Sequence, residues 1–171
     1  MRILAIFGMA AATFAAPLVA ESAALPDLHF GREKWHLSLS LPGLKPAQAD
    51  KANPDRQSFY FMSEDRSVIV SVIVVNAQAP ATMASCKRVF EQRAKAPFIT
   101  KVEIKAGKRG EAALQEYTVN LAPDGSKVQR HIHTCRVKGN YYIDVHASKS
   151  LYTPADRSTL LALVDGVTIV E

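Results

Sequence analysis

Trp35–Leu41 alternates without a break, with Trp35, Leu37, Leu39 and Leu41 on one side and His36, Ser38 and Ser40 on the other. A period of two is that of a half-buried β-strand. Residues 42–57 lose the pattern and fill with Pro42, Gly43, Pro46, Asp50, Asn53 and Pro54, which predicts a long loop. Ser58–Met62 and Arg66–Val75 then read as a hairpin about Ser63-Glu64-Asp65. Its second arm is apolar on both faces from Val68 to Val75, so it is expected near the middle of a sheet and covered on both sides.

From Thr82 the period lengthens. Met83, Cys86, Phe90 and Ala94 recur at helical spacing, Lys87, Arg88, Glu91 and Arg93 turn outward, Thr82 caps the start and Pro97 enforces the stop. A strand over Ile99–Lys105 and a turn at Gly107–Gly110 follow. Leu114–Leu121 and Lys127–Val137 are strands joined through Pro123-Asp124-Gly125. A two-residue turn at Gly139-Asn140 returns the chain through Tyr141–Ser148. Thr153-Pro154-Ala155-Asp156 supplies the cap, the first-turn proline and the acidic residue of a helix start. Leu160, Leu161 and Val164 form the buried face of that helix, Gly166 ends it, and Val167–Val170 is a last short strand.

Strands, helix, strands, helix is the order of an α+β layer structure: an antiparallel β-sheet flanked by two helices, one on each side. That order, closed by Tyr142-Ile143-Asp144-Val145-His146-Ala147-Ser148 before the last helix, resembles the PsbP-like fold, which also includes the periplasmic DcrB-like proteins. The resemblance covers most of the chain beyond its first residues. It implies a layered scaffold used mainly for binding and assembly. Members are often lipoproteins, and this sequence departs from them in having no lipobox cysteine.

The chain has 171 residues, 48% of them hydrophobic and 22% charged, which excludes disorder, collagen, a disulfide-dense miniprotein and a multispan membrane protein. Met1–Ala20 has one charge, Arg2, then an apolar run that stays uncharged until Glu21, with Pro17 near its end and small residues at Ala20, Ser22, Ala23 and Ala24. Basic start, apolar middle and small-residue junction make a secretory signal, with cleavage after Ala20, Ser22 or Ala24. An uncleaved anchor is the alternative, against which Gly8 and Pro17 argue. The expectation is a single domain over 25–171, periplasmic or secreted, with no integral membrane span after processing.

In an exported chain, two cysteines suggest one bridge, Cys86 to Cys135. It would close a loop of about 50 residues and stabilise by ~4 kcal/mol. The alternatives are two buried unpaired thiols or one reactive thiol.

Formal charge is +5, and it is uneven. Lys87, Arg88, Arg93, Lys95, Lys101, Lys105, Lys108 and Arg109 face only Glu91 and Glu103 within one window, a local net of +6. Such clustering favours an anionic partner, whether acidic lipid, polyanionic glycan or an acidic protein face. The plainer account is a solvated helix face and a strand edge guarded by lysines. Few aromatics are interleaved to stack bases, which argues against nucleic acid.

One constellation carries candidate chemistry. His131, His133 and Cys135 share a strand face, and a two-residue turn at Gly139-Asn140 sets Cys135 opposite Asp144 and His133 opposite His146. Three imidazoles can converge on zinc or copper and leave an open position, with Asp144 as a further ligand or outer acceptor. A one-residue slip would move His146 to the other face, and the plainer account is hydrogen-bonded strand histidines. A Cys135–His133–Asp144 nucleophile can be drawn, but it needs the free thiolate that a bridge removes. Asp144, His146 and Ser148 are spaced about 6–7 Å along one strand, too far for a relay. Phe59-Tyr60-Phe61 and Tyr141-Tyr142 offer interface anchors or core.

No phosphate cradle, G-x-S-x-G elbow or paired-cysteine zinc motif is present. The leading expectation is an exported non-catalytic binding module that needs no cofactor and meets an envelope protein or an anionic envelope surface. An inhibitor or immunity-type protein has the same signature. The alternative is a metal-binding protein or metal-dependent hydrolase built on the histidines.

Overall fold

A computed structural model describes residues 25–171 except 32, 78, 95–100, 123 and 126. The expected leader, Pro97 and Pro123 lie outside the described residues. The strands are β1 (Leu28–His29), β2 (His36–Leu39), β3 (Leu44–Asn53), β4 (Arg56–Ser63), β5 (Val68–Asn76), β6 (Lys101–Arg109), β7 (Ala112–Asn120), β8 (Val128–Lys138), β9 (Tyr141–Ser150) and β10 (Val167–Val170). The helices are α1 (Met83–Ala94) and α2 (Arg157–Asp165), the latter entered through a 3₁₀ turn at Pro154–Asp156.

Most of the chain forms one antiparallel sheet in the order β3-β4-β5-β9-β8-β7-β6, and β1-β2-β10 make a second, smaller sheet. The alternation at Trp35–Leu41 holds: Trp35, Leu37, Leu39 and Leu41 are all buried. They pack against Phe59, Phe61, Val70, Val72, Val74, Ile132, Ile143, Val145 and Ala147 of the large sheet, with Leu160, Leu161, Leu163 and Val164 of α2 closing the layer. Asp156 starts α2 by accepting hydrogen bonds from the Thr153 backbone N–H at 2.8 Å and hydroxyl at 2.9 Å. Gly166 lets α2 end against β2: the Ser40 N–H donates to its carbonyl at 2.7 Å, and an added Cβ would lie 2.1 Å from the Ser40 carbonyl oxygen.

Three expectations are corrected. The loop expected over 42–57 is mostly strand β3, because β3 is an outer strand where Pro46 and two register shifts are tolerated. The turn expected at Gly107–Gly110 is later: Gly107 pairs with Leu114 and Lys108 with Ala113, leaving Gly110-Glu111 as the turn, with Gly110 at φ +58°. Finally, β5 is central but not sealed on both sides. Val70, Val72 and Val74 are buried, whereas Ile69, Ile73 and Val75 are half-buried, because α1 packs on β7 and β8 rather than over β5.

Where the apolar core runs out, between α2 and β7–β8, a charged group replaces it. Glu116 is 2% exposed and takes Arg130 Nη2 at 2.8 Å, Arg157 Nε at 3.0 Å and Arg157 Nη2 at 2.5 Å. Arg130, 4% exposed, also donates to the Thr118 hydroxyl at 2.9 Å. Burial pushes the Glu116 carboxyl up, but the Arg157 and Arg130 hydrogen bonds and charges outweigh it and hold it below its ordinary value. Removing the carboxylate strands the buried Arg130 in low dielectric. Glu116→Ala is therefore expected to cost about 3–5 kcal/mol in urea unfolding; a change under ~1 kcal/mol would show that the two arginines find water instead.

Candidate functional site

The Thr82 hydroxyl accepts the Ser85 N–H at 3.2 Å and its carbonyl accepts the Cys86 N–H at 3.1 Å, so α1 begins at its expected cap. Helical spacing turns Cys86 and Phe90 to the sheet, where they pack with Ala113 and Cys135. The Cys86 and Cys135 sulfurs stand at disulfide distance with Cα atoms 5.7 Å apart. A bridge there leaves Cys135 no thiolate, which empties the Cys135–His133–Asp144 arrangement of its nucleophile.

The β8–β9 register pairs His133 with His146 and Cys135 with Asp144 across the Gly139-Asn140 turn. His131, His133 and His146 each present a ring nitrogen within 4.8 Å of the others. Their rings form two layers. His131 and His146 are nearly parallel, with centroids 5.1 Å apart and His131 Nδ1 2.9 Å from His146 Nε2. An imidazole ring has a radius of roughly 1 Å, so these values place the two rings end to end in nearly one plane, sharing one proton. His133 lies over His146 at 4.0 Å, and Tyr117 lies over His131 at 4.8 Å. Within that second layer the Tyr117 hydroxyl meets His133 Nε2 at 3.2 Å.

Two of the outer ring nitrogens have neighbours on adjacent strands, and the third, His131 Nε2, is buried without a hydrogen-bond partner among the described residues. Ser71 Oγ lies 3.4 Å from His146 Nδ1, and Asp144 Oδ1 lies 3.5 Å from His133 Nδ1. His133 is buried beneath Phe90, while His131 and His146 are half-buried toward the open side of the sheet. Tyr117 and Ser71 were not expected from the sequence. The sole signal for Tyr117 is register: β7 sets it opposite His131.

The basic window divides. Lys87 and Arg88 are exposed on α1, and Lys108 joins Lys87 at a cavity of about 330 Å³ with Phe90, Glu91, Ala113 and Leu114. Lys105 pairs with Glu116 and Arg109 with Ala112, so both take the opposite sheet face, where Arg109 makes a two-pronged ion pair with Asp165. The Lys101 ammonium stands 5.3 Å from the Tyr117 ring centre. Arg93 closes α1 within its last turn, and Lys95 lies outside the described residues.

No protein-family model matches the chain, and no curated protein matches it either. Among solved structures it is similar to cyanobacterial PsbP (CyanoP) from Synechocystis sp. PCC 6803, at 10% identity over 91% of this chain and 98% of that one, with a TM-score of 0.49. It is also similar to LpqN, involved in cell envelope biogenesis of Mycobacterium tuberculosis, at 10% identity over 85% of this chain and 90% of that one, with a TM-score of 0.44. The similarity is one of fold alone.

Burial, then the neighbouring His133, Lys101 and Arg130 charges, push the His131 imidazole down to about 4. An unfolded histidine titrates near ~6.5, so between those values the unfolded chain binds the extra proton. The contribution of His131 to native stability is then complete above ~6.5 and is lost as pH drops toward 4, by up to about 3 kcal/mol. Urea midpoints at neutral and acidic pH are expected to converge in His131→Gln relative to the parent; an identical acid loss in both would remove His131 as its source.

Proposed function

We propose that this chain is an exported, non-catalytic binding module of the cell envelope that takes an acidic protein partner at the cleft between α1 and β6. The observation that supports this most directly is the joint presence of Lys87 and Lys108 at one cavity floored by Phe90 and Ala113, with Glu91 also on its wall. Two cations beside an apolar floor suit an acidic, amphipathic segment, whose side chains gain burial while its charge stays near the rim. The edge position of β6 gives such a segment unpaired backbone groups alongside the cleft.

The remaining basic residues have other work. Lys105 is exposed on the same outer strand, and β6 carries a register shift between Val102 and Lys105; charge and a bulge together keep an edge from pairing indiscriminately. Arg109 is committed to Asp165. The charge that recognises a partner is thus narrower than the sequence window, centred on Lys87, Arg88 and Lys108. A partner that is itself an exported enzyme would make the chain an inhibitor.

A photocrosslinker at Ala106, which lines the cleft, tests the reading in the native compartment. One discrete protein adduct is expected, lost in Lys87→Glu/Lys108→Glu and weakened by about 0.5 M salt. An adduct pattern untouched by both changes would sink the proposal.

A further inference from the structure

We infer that His131, His133 and His146 form a transition-metal site for an imidazole-preferring ion, zinc or copper. This stands apart from the α1–β6 cleft and does not depend on it. The three side chains come from two adjacent strands whose register is closed by a two-residue turn, and their nearest nitrogens already lie within 4.8 Å of one another. Imidazole suits both ions, and three such ligands leave a position open for water or a further group.

The hydrogen bonds favour the same assignment. His131 Nδ1 and His146 Nε2 face each other at 2.9 Å, a distance two lone pairs tolerate only with a proton between them. On loading, that proton moves to the far nitrogen of the ring that carries it, so both imidazoles stay neutral and each turns a lone pair to the ion. Two far nitrogens have neighbours, Ser71 Oγ at 3.4 Å from His146 Nδ1 and Asp144 Oδ1 at 3.5 Å from His133 Nδ1, while His131 Nε2 is buried without a hydrogen-bond partner among the described residues. Ser71 thereby holds His146 with Nε2 toward His131, the arrangement by which outer groups fix metal-bound histidines, and Asp144 stands beside His133 as a further outer acceptor.

One adjustment is required. Zinc–nitrogen bonds of about 2.0–2.1 Å bring tetrahedral ligand nitrogens to roughly 3.3 Å from one another. The His133 and His146 rings are parallel, inclined by only 4°, so no single point lies in both ring planes. His133 therefore turns about its ring bond on loading and exchanges the Tyr117 hydroxyl for the ion, while the β8–β9 ladder stays in register. Entry is from the side of β9 and β5, because α1 lies on β7 and β8.

The test uses the untagged, processed protein, stripped with chelator and titrated separately with zinc and copper by calorimetry, with native mass spectrometry of each end point. One equivalent of zinc or of copper is expected at the end point, with copper(II) the tighter of the two as at any such nitrogen site. His146→Gln, at a half-exposed position, should abolish one-to-one binding, and Asp144→Asn should weaken it about 10–100-fold. Thermal melts with and without metal report on folding: metal should raise the parent's midpoint and leave that of folded His146→Gln unmoved. Failure of both metals to bind the parent, or equal affinity in His146→Gln, would overturn the site.

Discussion

A two-residue turn at Gly139-Asn140 closes β8 onto β9, and the side-chain period of two carries that closure through the centre of the large sheet. On one face it aligns Ile132 with Ala147 and Thr134 with Val145 for the core beneath α2. On the other it aligns His133 with His146 and Cys135 with Asp144. A slip by one residue would turn the apolar set outward and the imidazoles inward at the same time. The core and the candidate site are therefore held by the same ladder, and Gly139, at φ +56°, supplies the conformation the turn needs.

The two helices answer different problems. α2 covers the apolar face with Leu160, Leu161, Leu163 and Val164, and Arg157 at its start meets the buried Glu116. α1 has only a small patch to bury, Cys86 and Phe90 against Ala113 and Cys135. The cysteine pair fixes it over β7 and β8. That offset leaves His131, His146, Ile69 and Ile73 half-buried beside it and opens the cleft that holds Lys87 and Lys108 on its other flank.

Much of this was legible in the sequence because it is local. The alternation of Trp35–Leu41, the Thr82 cap, the Thr153–Asp156 start and the Gly139-Asn140 turn each depend on residues close in the chain. What escaped depends on which strands become neighbours. β3 hides behind Pro46, Asp50 and Asn53, residues that look like loop unless the strand is known to be at an edge. Glu116, Arg130 and Arg157 are far apart in the chain, and nothing local in the sequence brings α2 onto β7 to join them. Tyr117 reaches the histidines through the β7–β8 pairing alone. In the basic window strand alternation acts in the opposite sense, sending Lys108 to one face of the sheet and Lys105 and Arg109, its neighbours in sequence, to the other.

The middle of the sheet also joins distant parts of the chain. Asn76 pairs with Tyr141 and Val68 with Lys149, so everything from α1 to β8 must be made and brought round before β5 acquires its second neighbour. Closing so long a segment is entropically costly and slow, and topologies dominated by such pairings fold in roughly milliseconds to seconds. Until then β5, the most apolar strand, has a bare edge, which another copy of the chain can pair with as readily as β9 can.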